Sequence, residues 1–412
     1  MTDHSVTDLN NTKTHSSNTN NGVAKIAIIG GGLTGLFTAT LLERTFGQQA
    51  DPSDPQKLPP QITVFEKSRS VGRLATRYRT DEQSDKNWQW AFGAQFFTAK
   101  SDSFSQFIEP WLGTGMLQPW CAQVVNLTPA TEDAQPIINK KEQWDTTHAR
   151  YISTPKMTSW GRALADDLQL TRVTFKTCVA PLSASKTHQL QEYSTHKKTE
   201  LFDTEGDSLG WFDWVICTAP NDQAVALMAN SNFSEQAKIT EPQMQACYTL
   251  MLGWDSVQQL PATFSRHLTN ATNVVLPGWD VAYMHGSILD RVFVEHHKPG
   301  HGDLSPSVTI HARNDWSQVH VDDDIETVRS QLLAAAQQAL NWNNDTAPSQ
   351  IDCHRWRYAA TVVTDTNKEQ GILVDDNQQW IVSGDWCGRG NIESCYQAAE
   401  QTVKVMMATL SQ

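Results

Sequence analysis

The sequence predicts a two-domain α/β protein whose Rossmann-like nucleotide domain is assembled from both ends of the chain. Three observations predict it. An apolar run at 26–29 passes through Gly30-Gly31-Gly32 into a helix-like run, a second apolar run at 62–65 ends in Glu66, and a late one at 380–383 leads through Gly384-Asp385 to another helix-like run near Asn391. Strand, glycine turn, helix and second strand in that order open a βαβ unit.

Length and charge bound the rest. A chain of 412 residues suits about two domains of roughly 100–250 residues each. A net charge of -13, with no run of Lys and Arg, excludes a nucleic-acid footprint. The longest apolar runs have strand length, well short of the ~20 residues of a membrane span, so no membrane segment is expected. Residues 1–22 are rich in Ser, Thr and Asn and lack the basic start and apolar middle of a secretory signal, so a disordered tail on a cytoplasmic protein is expected. The seven cysteines are scattered without a CxxC, which fits reduced thiols better than disulfides or a metal site.

In chain order, the helix-like run covers 33–44, and the polar stretch 47–61 reads as a surface loop before the second strand. From about Asp81 a Trp-rich mixed region begins. Residues 156–168 have helical spacing, 173–179 and 211–218 read as strands, and 325–340 reads as a helix within an apolar and aromatic block at 247–351. The expected division is 23–84, 155–245 and 352–412 in the nucleotide domain, with 85–154 and 246–351 in a mixed-sheet substrate domain.

Gly30-Gly31-Gly32-Leu33-Thr34-Gly35 fits G-x-G-x-x-G after a strand and at the mouth of a helix. Gly30 allows the tight turn, Gly32 lets the backbone approach a pyrophosphate, and Gly35 allows close packing of helix on strand. The helix start at Leu33 and Thr34 supplies N–H donors and positive potential. Glu66 ends the second strand where an acid accepts hydrogen bonds from ribose hydroxyls, its late position being explained by the 47–61 loop. The same charge disfavours a 2′-phosphate there. Downstream, Lys67 follows directly, Gly72 allows a close turn, and Arg73 can reach a pyrophosphate with a charge-assisted fork. Surface placement is the plainer alternative for Glu66 and Arg73, and a simple turn or cap is the alternative for Asp385. Val179, Asn391 and Ile392 complete the candidate cofactor contacts.

Together these stretches, with Gly93-Ala94-Gln95-Phe96-Phe97-Thr98, 214–220, 311–317, His354-Arg355-Trp356-Arg357-Tyr358-Ala359 and 384–396, resemble the bacterial renalase-like FAD oxidoreductases, a branch of the flavin amine oxidase superfamily. The resemblance spans nearly the whole chain after residue 22. It implies a two-domain flavoprotein of the hydroxybenzoate-hydroxylase type with non-covalent FAD at the domain interface. It also implies an activity: oxidation of misreduced 2- or 6-dihydro isomers of NAD(P), with electrons passed to molecular oxygen to give hydrogen peroxide. In such proteins the Asp of a GD turn holds the ribityl or pyrophosphate region, and the helix after it faces the flavin edge that becomes negative on reduction. The chain departs from the pattern at Ala91 and Phe92, where many relatives carry Asp and His, and at Glu295-His296-His297 before Lys298-Pro299-Gly300.

In a dihydropyridine the ring nitrogen lone pair expels the hydride, so orientation matters more than acid–base chemistry and no catalytic residue is singled out. Candidate pocket walls are Gln95, Phe97, His354, Trp356 and Trp386, then Trp279, Tyr283 and His285, with core packing favoured for any single tryptophan. Three alternatives stay open: an amine oxidase with an aromatic cage for a small amine, a hydroxylase fed by NAD(P)H, and a non-catalytic nucleotide-binding partner.

Overall fold

The computed structural model describes residues 23–51, 53–54, 58–81, 85–129, 136–184, 186–189, 197–265, 267–269, 275–342, 344–362 and 369–410. The expected disordered tail, 1–22, lies outside the described residues. Strand β1 (Lys25–Ile29), helix α1 (Leu33–Gln49) and strand β2 (Gln61–Glu66) form the predicted opening unit. β1 is buried along Ile26 to Ile29, as expected of a parallel strand covered on both faces. Its sheet runs, strand by strand, Leu373–Asp375, Trp380–Val382, Trp214–Cys217, β1, β2, Thr171–Phe175, parallel except at the Leu373–Asp375 edge. The chain ends therefore do share one sheet, and the C-terminal helix Ile392–Leu410 packs along α1.

The second sheet has seven strands: Gln350–Thr361, Met244–Gly253, Ser307–Ala312, Leu289–Val294, Val281–Met284, Gln123–Thr128 and Ile137–Gln143. All its pairs are antiparallel except Val281–Met284 with Gln123–Thr128. Its two faces follow the period-2 rule. Leu250, Leu252, Val308 and Ile310 face a core closed by the helix Ile325–Leu340. That helix has the predicted bounds, with Asp324 capping its start by accepting from Thr327 N. On the opposite face Ser307 bonds the Gln89 carbonyl, Thr249 bonds the Phe92 carbonyl, and Met251 packs on Trp88 and Trp90. This face meets the hairpin β3 (Thr76–Asp81) and β4 (Lys86–Ala91).

Several expectations shift. The strand expected at 173–179 is Thr171–Phe175, because the chain turns at Lys176, whose φ is +57°. The single strand expected at 211–218 is two strands in two sheets, Ser208–Phe212 and Trp214–Cys217, which hand over at Asp213. Residues 352–361, expected in the nucleotide domain, continue the edge strand of the second sheet and pair with Met244–Gly253. The helix Asp102–Gly113, expected with the substrate domain, packs Phe104, Phe107 and Trp111 among Phe37 of α1, Trp160 and Tyr396. Among the described residues no helix is long and apolar enough to cross a membrane.

Candidate functional site

The glycines divide the work as the motif requires. Gly30 has φ +115°, and a Cβ on it would sit 2.7 Å from Thr218 Oγ1; a Cβ on Gly35 would sit 2.0 Å from the Gly30 carbonyl. These two positions are filled by the protein itself. A Cβ on Gly32 meets nothing within 4 Å, so the mouth of α1 opens on free space. Gly72, with φ +60°, approaches from above, its Cβ position lying 3.1 Å from Gly32 Cα. Leu33 and Thr34 are buried at the first turn of α1. The result is a cradle bordered by backbone, with helix N–H groups at its floor, the arrangement that holds a pyrophosphate.

Glu66 is 7 % exposed, and its carboxylate joins two segments: Oε2 accepts from Gly31 N and Oε1 from Ser68 N, each at 2.7 Å. Each oxygen keeps a lone pair for a ribose hydroxyl. Val179 forms an isolated antiparallel bridge with Asp203, flanked by the bonds Ala180 N to Phe202 O and Thr204 N to Cys178 O. Val179 is thus the non-hydrogen-bonded member, so its own N–H and C=O point away from Asp203 as one donor and one acceptor side by side. Lys67 is elsewhere: its ammonium donates to Gln223 on the surface.

Arg73 is the hub. Its Nη2 donates to Asp385 Oδ1 at 2.6 Å and its Nη1 to the carbonyls of Ala359 and Tyr358, tying the turn after β2 to the edge strand and the GD turn. Burial works against the Arg73 charge, and Asp385 more than offsets it, leaving the guanidinium above its ordinary range. The fork expected on a pyrophosphate is engaged here with Asp385. Beyond Asp385, Asn391 caps the C-terminal helix by accepting from Ser394 N at 2.8 Å, while Ile392 packs in the core beside Tyr396. Gly384 is pressed against its neighbour, a Cβ there lying 2.4 Å from Trp386 Nε1. The thiols of Cys387 and Cys395 are buried and pushed up, that of Cys395 to about 12.

The GAQ stretch lies directly over Arg73. Ala94 N donates to the Arg73 carbonyl, and a Cβ on Gly93 would stand 1.9 Å from that oxygen. Gln95, 4 % exposed, is consequently near the hub, while Phe92, Trp356 and His354 cluster with one another at the sheet edge. Phe92 stacks on Trp356 at 5.2 Å, and Trp356 Nε1 donates to the Phe92 carbonyl. Arg77 lies over Phe92 and forks onto Asp352. Burial, with Arg77 beside it, pushes His354 down to about 4. Ala91, buried, accepts a short bond from Gln95 Nε2 through its carbonyl.

Other expected wall residues are elsewhere. Phe97 stacks on Trp160 at 4.9 Å in the core around α1. Trp386 is buried behind Asp385, its Nε1 donating to the Ala219 carbonyl. Trp279 packs on Phe264 in the core on the far face of the second sheet, His285 is exposed in a turn, and Tyr283 lies against Arg291. Apolar bulk alone gives no direction, and Phe97, Trp386 and Trp279 went to cores.

A buried polar group missed by the sequence reading adjoins Gln95. Lys298 Nζ donates to Gln95 Oε1 at 2.8 Å and to Glu295 Oε1 at 2.9 Å, and Glu295 also accepts from Thr309. Burial lowers the Lys298 ammonium, with Glu295 opposing it. A signal was in the sequence: Glu295-His296-His297, the stretch that departs from the resembled pattern, directly precedes Lys298.

Residues 28–110 match the model of the NAD(P)-binding Rossmann-like domain family. Over its length the chain is similar to an Exiguobacterium sp. 255-15 protein provisionally named a protoporphyrinogen oxidase, with TM-score 0.65, 12% identity, and 93% of this chain and 99% of that one covered. It is also similar to wild-type putrescine oxidase bound to putrescine, with TM-score 0.60, 9% identity, and 93% and 99% covered. The chain shares their fold.

Proposed function

We propose that the chain is a flavin-dependent oxidase that binds one FAD without a covalent bond, on a two-domain frame of the hydroxybenzoate-hydroxylase type. The observation that carries this reading is the open space before Gly32, walled by Gly72 and floored by the α1 N-terminus, with Glu66 and the backbone edge of Val179 that points away from Asp203. Those groups match a pyrophosphate, a ribose and an adenine edge in turn. Glu66 disfavours a 2′-phosphate by like charge, which argues against NADP as the resident nucleotide. Buried thiols at Cys387 and Cys395, held protonated, support non-covalent binding. Bound FAD would supply a two-electron acceptor that oxygen reoxidises with release of hydrogen peroxide.

For the donor, we infer a misreduced 2- or 6-dihydro isomer of NAD(P). Support comes from the resemblance of the GAQFFT, HRWRYA and GDWC stretches and from the character of the groups in the GAQ stretch and on the neighbouring sheet edge. Gln95 is uncharged and His354 is held neutral, which suits a flat, uncharged ring that needs orientation and no proton transfer. A small amine is the second reading, favoured by the likeness to putrescine oxidase and by the Phe92–Trp356 ring pair in place of a polar pair. The test is anaerobic stopped-flow mixing of the flavin-loaded protein with each isomer and with a panel of amines. Rapid bleaching by a 2- or 6-dihydro isomer, with slow bleaching by ordinary 4-dihydro NAD(P)H, is the expected result. Bleaching by an amine alone transfers the assignment to the amine oxidases.

A further inference from the structure

Lys298, Gln95 and His311 form a chain whose hydrogen positions follow from donor and acceptor chemistry together with burial. An ammonium has three donors and no acceptor, so the Gln95 atom 2.8 Å from Lys298 Nζ must be the oxygen. The amide nitrogen is then turned to the Ala91 and Gly93 carbonyls and to His311 Nε2, 3.4 Å away. That nitrogen has two hydrogens for three acceptors, one taken by the Ala91 carbonyl and the other shared between the Gly93 carbonyl and His311 Nε2, so Nε2 accepts and carries no proton. Burial, with Arg291 and Lys298 nearby, holds His311 down to about 3, so the ring is neutral and its proton is on Nδ1. Nδ1 has no protein partner among the described residues, and the ring keeps some accessible surface although protein surrounds it. His311 shares the inward face of its strand with Ser307 and Thr309, the face that meets β4 and the GAQ stretch.

We propose that His311 is a preset neutral donor, through Nδ1–H, for an uncharged carbonyl oxygen of a bound ring, and that Lys298 and Gln95 are positioning residues that fix its tautomer. The inference deepens the functional reading above and rests on it for the ligand, while the tautomer rests only on the protein. Two sources present such an oxygen: a ring carbonyl of FAD, or the carboxamide of a nicotinamide dinucleotide. Glu295 makes the device stable. It is fully buried and neutralises Lys298, whose ammonium also lies 5.5 Å from the Trp120 ring. Without Glu295 a buried lone cation would lose its proton.

The first measurement is nitrogen-15 NMR of histidine-labelled protein, with His311 assigned by His311→Asn. The Nδ1–H tautomer is expected, unchanged between pH 5 and 8; an Nε2–H tautomer or an imidazolium in that range overturns the proposal. Gln95→Leu should release the ring to a mixture of tautomers, and an unaltered Nδ1–H signal in that variant removes the positioning role. The second measurement is affinity. Asn places an amide donor near the position of Nδ1, so His311→Asn should hold ligand as the parent does, whereas His311→Leu should weaken it about 3–10-fold, the worth of one neutral hydrogen bond. Titrating apoprotein with FAD reads the first source, and titrating the FAD-loaded protein with NAD+ reads the second. Parent-like binding of both ligands by His311→Leu overturns the ligand contact even if the tautomer is as expected. If the parent takes up no FAD at all, the cofactor reading fails by itself and the NMR result still decides the tautomer.

Discussion

Arg73 and Asp385 stand 312 residues apart in the chain and meet in an ion pair, Nη2 to Oδ1 at 2.6 Å, against the carbonyls of the edge strand. One residue follows the second strand of the nucleotide sheet and the other precedes the C-terminal helix. Their contact therefore joins the two sequence ends and, through Ala359, the second sheet. It also means that the side of the cradle next to Gly72 is organised by a pair of opposite charges, with Asp385 almost fully enclosed.

Breaking that pair from either side is expected to destabilise the fold more than breaking it from both. Removing one partner of a fully buried pair costs about 3–5 kcal/mol; Arg73 keeps 29% of its side-chain surface, so about 1–3 kcal/mol is expected after solvent screening. Arg73→Met, Asp385→Asn and the double variant, unfolded in urea, should give a coupling energy of that order. Strict additivity of the single effects would show that the contact is incidental.

Glu66 has a structural and a ligand role that can be separated. Its two oxygens fix Gly31 and Ser68, so Glu66→Ala should lower apoprotein stability by about 1–3 kcal/mol, the range for a hydrogen bond to a charged group. FAD affinity should fall by a similar further amount. Urea unfolding of the apoprotein and equilibrium dialysis with FAD read the two losses independently, and unchanged affinity would remove Glu66 from the ribose.

Acid should destabilise the protein from about pH 6.5 downward, earlier than carboxylate titration alone would. His354 is held down to about 4 and His311 to about 3 in the folded state, chiefly by burial, while both protonate near 6.5 when unfolded. Below 6.5 the unfolded chain binds more protons than the folded one, so stability falls as pH falls, until the folded imidazoles protonate too. Replacing both by Asn should flatten melting temperature against pH between about 6.5 and 4. An unchanged slope would show that these rings are not kept neutral.

The backbone-driven parts of the molecule were legible in the sequence, and the side-chain constellation was less so. Ile26, Ile28 and the glycines announced β1 and α1 because a buried parallel strand and a phosphate-type turn leave few residue choices, and 325–340 showed its helix through apolar spacing. Residues 352–361 were misplaced because an edge strand alternating Cys353, Arg355 and Arg357 with His354 and Trp356 carries no label for its sheet; only pairing with Met244–Gly253 supplies one. Gln95 was picked out and lies beside the Arg73 backbone, whereas His354 and Trp356, also picked out, gather with Phe92 and Arg77 farther along the edge strand. Phe97, Trp279 and Trp386 were picked out on the same grounds and lie in three cores. Lys298 was passed over because its meaning depends on Glu295 and Gln95 being brought to it by the fold.

Two glycines of one motif should fail in opposite ways. At Gly35 an added methyl would lie 2.0 Å from the Gly30 carbonyl, an overlap that only movement of α1 against β1 can relieve, and overpacking of this kind costs about 1–3 kcal/mol or more. At Gly32 the methyl would meet no protein atom within 4 Å, and φ is -74° with ψ -178°, a conformation open to alanine. Gly35→Ala should therefore lower the melting temperature of the apoprotein, whereas Gly32→Ala should leave it unchanged. With ligand the order changes. The space before Gly32 is where the reading puts the pyrophosphate, so Gly32→Ala should fold normally and retain FAD at least tenfold more weakly. Thermal melts of the apoproteins and fluorescence titration with FAD measure the two halves. A Gly32→Ala protein that folds and binds FAD like the parent would show that the phosphates lie elsewhere, and the assignment of this cradle would fall with it.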